Sequence, residues 1–272
     1  VKKNKINFEK NIEFKDVNFN YEDGKKIFEN INIEFNKGDK IGIFGRSGNG
    51  KSTFIDLLSS LLKPTKGKIL IDGEEINDLN KLSWRSKIGY VPQQVYILDD
   101  TLRNNIALGV DNKDIDDEKI KEIIKKTNLD NLKSLKNIDQ ILNFKISSRG
   151  LNISGGELQK ILIINSLLDK PNFLILDEPT SWIDTIWEET FYWIIHEIRK
   201  NFSDIAILIV SHNMKMVYSH SNKIVCLHQN CYCTWTPEEL KNNSDFWSVF
   251  WEYVIPYKHT HSHKHTHNHS HT

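Results

Sequence analysis

Gly45-Arg46-Ser47-Gly48-Asn49-Gly50-Lys51-Ser52 fits the phosphate-binding pattern G-x-x-x-x-G-K-[ST]. Glycines let backbone N–H groups turn toward an anion. Lys51 is expected to reach the β- and γ-phosphates of a nucleotide, and Ser52, followed by Thr53, to offer a hydroxyl to Mg²⁺. Before the loop, Lys40-Ile41-Gly42-Ile43-Phe44 reads as a buried strand. After it, residues 52–62 carry Phe54, Ile55, Leu57, Leu58, Leu61 and Leu62 at helical spacing. Strand, glycine loop and helix form the setting that the pattern requires, and the helix then points its positive end at the same anion. A glycine-rich surface turn is the plain alternative.

Composition narrows the classes. The chain has 272 residues, enough for one large domain or two small ones. Lys+Arg and Asp+Glu are equal at 36 each, so no basic field marks nucleic acid as a partner. No apolar run approaches the roughly 18 residues that span a bilayer. The charged start Val1-Lys2-Lys3-Asn4 does not resemble a signal peptide. The missing initiator Met raises the expectation of a fragment or a processed product. Three cysteines in a chain of this size fit a reducing compartment better than a disulfide scaffold.

Periodicity supplies the frame. Residues 11–21 alternate apolar Ile12, Phe14, Val17 and Phe19 with polar neighbours, irregularly at Asp16, and residues 27–35 alternate again. Lys68-Ile69-Leu70-Ile71 reads as a strand closed by Asp72-Gly73, and residues 88–91 as another. Residues 101–135 turn helical and charged, and helices are expected over 156–168 and 186–199. Residues 173–176 and 206–210 are continuous apolar runs, as in central parallel strands covered on both faces. Strands alternating with helices imply an α/β fold with a right-handed parallel sheet.

Two of those strands end in chemistry. Leu174-Ile175-Leu176-Asp177-Glu178 closes on two carboxylates, which on a strand point in opposite directions. One is expected to approach Mg²⁺ while the other polarises a water for attack on the γ-phosphate. Val210-Ser211-His212 ends the next strand with an imidazole able to bond the γ-phosphate or that water. Alone, Asp177 and Glu178 would equally cap the turn at Pro179-Thr180, His212 would be a satisfied strand-end histidine, Gln93 a loop amide and Tyr21 an ordinary strand aromatic.

With Ile153-Ser154-Gly155-Gly156-Glu157 added, the chain resembles the ABC-transporter ATPase family over residues 11–253. That loop resembles the family's signature, a second anion site before a helix. The resemblance implies a P-loop NTPase (RecA-like) core with a parallel sheet, an N-terminal antiparallel β subdomain and an inserted α-helical subdomain. The implied divisions are 11–92 and 159–235 for the core with its β subdomain, and 93–158 for the helical subdomain within an ATPase domain at 11–255. It implies ATP and Mg²⁺ as cofactors, with Ser52, Gln93 and Asp177 at the metal. Glu178, His212, Lys51 and Gln93 serve hydrolysis, Tyr21 stacks on adenine, and Asp184 belongs to the D-loop. Ser154, Gly155, Gly156 and Glu157 cap the γ-phosphate held by the P-loop of a second copy, so two ATP molecules lie in a head-to-tail dimer. The other implied partner is a transmembrane domain, which places the chain on the cytoplasmic face of a membrane.

Trp84-Arg85-Ser86-Lys87-Ile88-Gly89-Tyr90-Val91-Pro92-Gln93 and Asp100-Thr101-Leu102-Arg103-Asn104-Asn105-Ile106-Ala107-Leu108-Gly109 resemble exporter cassettes. Ser147-Ser148-Arg149-Gly150 lacks the glutamate usual there, and Trp182, Leu162, Ile164 and Asn165 are further departures. They raise the expectation of overpacking, of about 1–3 kcal/mol if uncompensated. Cys226-Leu227-His228, Cys231 and Cys233 resemble zinc-importer subunits faintly, or are small apolar residues of a hairpin. A soluble ABC ATPase acting on DNA or ribosomes fits less well. About 100 residues without sustained heptads separate the P-loop from the signature, and one cassette is present. His259, His261, His263, His265, His267, His269 and His271 alternate strictly in a low-complexity tail over 256–272, expected to be disordered and to take Zn²⁺ or Ni²⁺ in vitro.

Overall fold

The structure is a computed structural model that describes residues 5–94, 96–127, 137–147, 152–179, 185–202, 204–228 and 231–243. The first half runs β1 (Asn11–Asn20), β2 (Lys26–Asn36), β3 (Lys40–Phe44), α1 (Lys51–Leu58), β4 (Lys66–Ile71), β5 (Glu74–Glu75), α2 (Lys81–Arg85) and β6 (Ile88–Val91). There follow α3 (Leu102–Ile106), α4 (Asp117–Lys126), α5 (Ile138–Leu142), α6 (Gly155–Leu167), β7 (Phe173–Asp177), α7 (Thr185–Asn201), β8 (Ala206–Ser211), α8 (Met214–His220), β9 (Lys223–His228), β10 (Cys231–Trp235) and α9 (Pro237–Lys241).

Among the described residues one sheet has the order β2-β1-β4-β5 and is antiparallel. The other has the order β10-β9-β3-β8-β7-β6 and is parallel except at β10. The expected α/β class with an N-terminal antiparallel sheet is therefore observed. The irregularity at Asp16 is a bulge: its φ is 51°, and register shifts between Phe14 and Val17.

The parallel strands alternate between two cores, as the period of a strand requires. Phe173, Ile175, Leu208 and Val210 face the core shared with the antiparallel sheet, where Phe54 of α1 stacks on Phe14 with centroids 4.8 Å apart. Leu174, Leu176, Ile207 and Ile209 face the helices, packing with Ile123, Ile161 and Ile164. Burial on both faces explains why β7 and β8 read as unbroken apolar runs.

Several elements differ in length from the sequence reading. The helix after the glycine loop stops at Leu58 rather than 62. Its last carbonyls are taken by α2: Trp84 Nε1 donates to Leu58 O at 2.7 Å, and Arg85 donates to Ser59 O and Ser60 O. Ser60 then adopts a left-handed φ of 55°. These partners come from 25 residues or more along the chain, so helical periodicity could not reveal the stop. Trp84→Phe keeps an aromatic ring but removes the pyrrole part of a fully buried indole and strips Leu58 O of its donor. It is expected to lower unfolding free energy by about 1–3 kcal/mol, measured by denaturant titration.

The expected helical region 101–135 consists of α3, a 3₁₀ turn at Asn112–Asp114, and α4; residues 128–136 lie outside the described ones. Two of the positions behind the overpacking expectation lie in or at the edge of the packed interior. Ile164 is fully buried within the helical core, and Asn165 donates Nδ2 to Ile106 O. Ser148 and Trp182 lie outside the described residues.

Candidate functional site

The sheet order puts β3, β8 and β7 side by side, so their carboxyl ends converge. Gly45 to Gly50 follow β3, His212 follows β8, and Asp177 with Glu178 ends β7. Gly45, Arg46, Ser47, Gly48, Gly50, Asp177, Glu178 and His212 line one cavity of about 830 Å³, together with Tyr21, Lys25, Ile27, Phe44, Lys51, Ser52, Thr53 and Gln93. That size suits a small-molecule ligand.

The glycine loop is built around close approaches. Gly50, with φ of 91°, is the N-cap of α1, and a Cβ there would meet Ile27 Cγ2 at 2.7 Å. A Cβ on Gly45 would meet the Leu227 carbonyl oxygen at 2.7 Å. Only glycine fits both positions. No side chain caps α1, and its first turn carries no acidic residue, so its amide end faces the cavity with its positive partial charge uncancelled. Lys51 Nζ donates to Gly45 O at 2.8 Å and Arg46 O at 3.3 Å, and lies 3.5 Å from Glu178 Oε1. Such a loop fits phosphate oxygens. The hydroxyl of Ser52, the amide oxygen of Gln93 and the Asp177 carboxylate are hard oxygen donors that fit Mg²⁺. Among the described residues no group of three or more His, Cys, Asp or Glu gathers as a metal cluster.

The two carboxylates do not simply alternate along a strand. Asp177 is the last residue of β7, and Glu178 leaves the strand with φ of 45°, left-handed, its N–H bonding Val210 O at 2.8 Å. That conformation is strained by about 1–3 kcal/mol and brings both acids into the same cavity. Glu178 Oε2 accepts from His212 Nδ1 at 2.7 Å and from His212 N at 3.2 Å. With Lys51 on its other oxygen, Glu178 connects the glycine loop to the end of β8. Because a paired carboxylate only accepts, the Nδ1 tautomer carries the proton.

Asp177 is buried and takes a hydrogen bond from Tyr90 Oη at 3.2 Å. Burial lifts its carboxyl above the ordinary aspartate range. The Glu178 and Asp56 charges add to that, against the Tyr90 bond and Lys51. Burial, and next the Asp177 charge, push the Tyr90 phenol up, so it remains a donor at neutral pH. A carboxyl raised in the folded state contributes stability at low pH. That stability is lost as pH climbs from the ordinary aspartate value toward the raised one. Asp177→Asn is therefore expected to raise the nucleotide-free melting temperature at neutral pH, with the gain vanishing once the native carboxyl is protonated. Scanning calorimetry at acid and neutral pH checks this; a lower neutral-pH midpoint contradicts it.

Several sequence-predicted residues sit apart from the cavity. Asn49 turns its amide away, donating Nδ2 to Leu227 O at 3.0 Å. Ser154, Gly155, Gly156 and Glu157 begin α6 and do not line it. There Ser154 and Glu157 form a reciprocal cap: Ser154 N and Oγ donate to Glu157 Oε2, and Glu157 N donates to Ser154 Oγ. Tyr21 lines the cavity with its hydroxyl 2.9 Å from Thr53 Oγ1 and its ring edge-on to Phe19. Asp184 and the histidine tail lie outside the described residues. Lys25, Phe44 and Tyr90 were not foreseen. Lys25, four residues past Tyr21 across the turn at Gly24, was the one a hairpin reading could have found.

Comparison with known proteins agrees with this geometry. A family profile described as ABC transporter matches residues 28–181. A putative export ATP-binding/permease protein of Rickettsia typhi is 34% identical over 238 residues, 87% of this chain and 40% of that protein. The chain thus spans about 40% of the length of such export relatives. The zinc import ATP-binding protein ZnuC of Rickettsia bellii is 36% identical over 239 residues, 86% of this chain and 90% of that one. A solved bacterial Atm1-family ABC exporter with ATP bound superposes with a TM-score of 0.76 at 28% identity, covering 90% of this chain and 42% of its own. A glycine loop, two strand-end acids and a histidine converging in one cavity, the profile match and these relatives agree: the chain belongs to the ABC transporter family, as an ATP-binding domain.

Proposed function

We propose that the chain is an ATP-hydrolysing motor that dimerises head to tail on ATP and drives export or flipping of a substrate across a membrane. The observation that carries this reading is the cluster of Lys51, Glu178 and His212 at the mouth of the glycine loop. Lys51 and the loop amides hold the phosphates, and Ser52, Gln93 and Asp177 hold Mg²⁺. The bound metal neutralises phosphate charge. Glu178 takes the proton of the attacking water, and His212, oriented by Glu178 through Nδ1–H, keeps Nε2 as an acceptor that orients that water. Tyr21 offers its ring to the base.

Ser154 to Glu157 stand outside this cavity, which supports a role in a partner's site. Asp184 is assigned to the same interface. In this reading residues 93–158 form the helical subdomain, a transmembrane domain is the second partner, and the chain works at the cytoplasmic face. Among the described residues no helix is long and apolar enough to cross a membrane. The test is Mg²⁺-dependent phosphate release together with ATP-dependent dimerisation by light scattering. A protein that turns over ATP at full rate as a monomer would refute the head-to-tail site.

A second reading is the ATPase subunit of a zinc importer. It is favoured by the 36% identity to the ZnuC of Rickettsia bellii over 239 residues. Reconstitution with candidate membrane partners, read as substrate-stimulated ATPase, separates the two.

A further inference from the structure

β9 runs beside β3 with Cys226 paired to Phe44, the residue just before the glycine loop. One residue further, the Leu227 carbonyl accepts the Asn49 amide at 3.0 Å and abuts Gly45. Residues 226 and 227 are thus a side wall of the loop. On its other edge β9 pairs with β10, where Cys226 stands directly opposite Cys233. Opposed residues of an antiparallel pair hold their Cα atoms about 4.5 or 5.5 Å apart, inside the roughly 4.4–6.8 Å that a disulfide spans. Both side chains lie on one face. Cys226 is fully buried and Cys233 packs against the same small apolar cluster. Cys233 Sγ is 4.0 Å from the Cys226 carbonyl oxygen, and both thiols are free.

We propose that Cys226 and Cys233 are a reversible thiol–disulfide pair whose closure loosens the glycine loop. Cys233 is the more accessible thiol. Its bond with Cys226 also draws its pKa down, while that bond and burial push Cys226 up. Cys233 therefore attacks first. Its thiolate attacks one sulfur of a low-molecular-weight disulfide, whose S–S bond breaks and releases one small thiolate. Cys226, deprotonated, attacks the Cys233 sulfur and expels the second small thiolate. Two protein thiols are oxidised, one small disulfide is reduced to two thiols, and the two protons pass to the leaving thiolates. Closing the bridge draws Cys226 from its packing against Met214 and Val217 and shifts the strand that holds the Leu227 carbonyl against Asn49. In a reducing compartment such a bond is transient, as a sensing disulfide must be. The inference rests on the ATP-site reading only for its effect on nucleotide.

The test uses the full chain carrying Cys231→Ser, which leaves two of its three cysteines, incubated with oxidised glutathione. Peptide mapping is expected to find a 226–233 bridge that reductant removes and that Cys233→Ser abolishes. Amide exchange over residues 45–51 without nucleotide is expected to quicken on oxidation, and ATP affinity to fall about tenfold, the equivalent of roughly 1.4 kcal/mol. A stable glutathione adduct on Cys233 with no bridge, or a bridge that leaves exchange over 45–51 unchanged, overturns the proposal. If the reduced protein binds no ATP, the ATP-site reading falls. The bridge and the exchange rates still decide this inference.

Discussion

Glu178→Gln is expected to cut ATP turnover by about 10²–10⁴-fold while leaving ATP binding in place, and to accumulate an ATP-bound dimer. The magnitude is that of removing a positioned general base. The change is nearly isosteric, so the left-handed turn at residue 178 and its N–H bond to Val210 O persist. The amide can still accept from His212 but cannot take a proton from water. It also removes the carboxylate that sits 3.5 Å from Lys51 in the absence of nucleotide. Lys51 then lacks the carboxylate that faces it in the empty site, so ATP affinity should hold or rise. A KM-against-kcat measurement and size-exclusion chromatography with ATP check both parts. Unchanged kcat would remove Glu178 from its role.

The second large effect concerns the composite site. Lys51→Ala is expected to weaken ATP binding by roughly 10²-fold, since hydrogen bonds to charged groups contribute about 1.5–3 kcal/mol each. Ser154→Asp should block dimerisation by another route. Aspartate gives up the Ser154 Oγ bond to Glu157 Oε2 but still accepts from the Glu157 N–H as an N-cap, so α6 keeps its start. The new carboxylate would oppose a partner's γ-phosphate across the interface. Each variant alone should fail to dimerise on ATP. An equimolar mixture should recover dimers, because one of the two sites then combines an intact glycine loop from one chain with an intact Ser154 from the other. A mixture as inert as its components would mean that Lys51 and Ser154 do not meet across a dimer. The Ser154 to Glu157 cap makes the choice of variant matter, since Ser154→Ala would also fray the helix by about 0.5–2 kcal/mol.

Much of this site is legible in residue order because its chemistry is local. The glycine loop, the two strand-end acids and the strand-end histidine each depend on a few consecutive residues and on a strand leading into them. The parallel sheet follows from β7 and β8 being apolar on both faces. What escaped the reading depends on long-range contacts. The early stop of α1 is set by Trp84 and Arg85. The turning of Asn49 away from the cavity is set by Leu227, some 178 residues along the chain. Tyr90 became visible as a partner of Asp177 only when β6 paired with β7.

The amino-acid sequence by itself determined the phosphate loop and the acids and histidine that accompany it, because these rest on short-range geometry and period. The tertiary structure alone decided how they meet. A left-handed residue at Glu178 turns its carboxylate from an alternating strand position to a link between Lys51 and His212. Burial, which no local pattern reports, lifts the Asp177 carboxyl above its ordinary range.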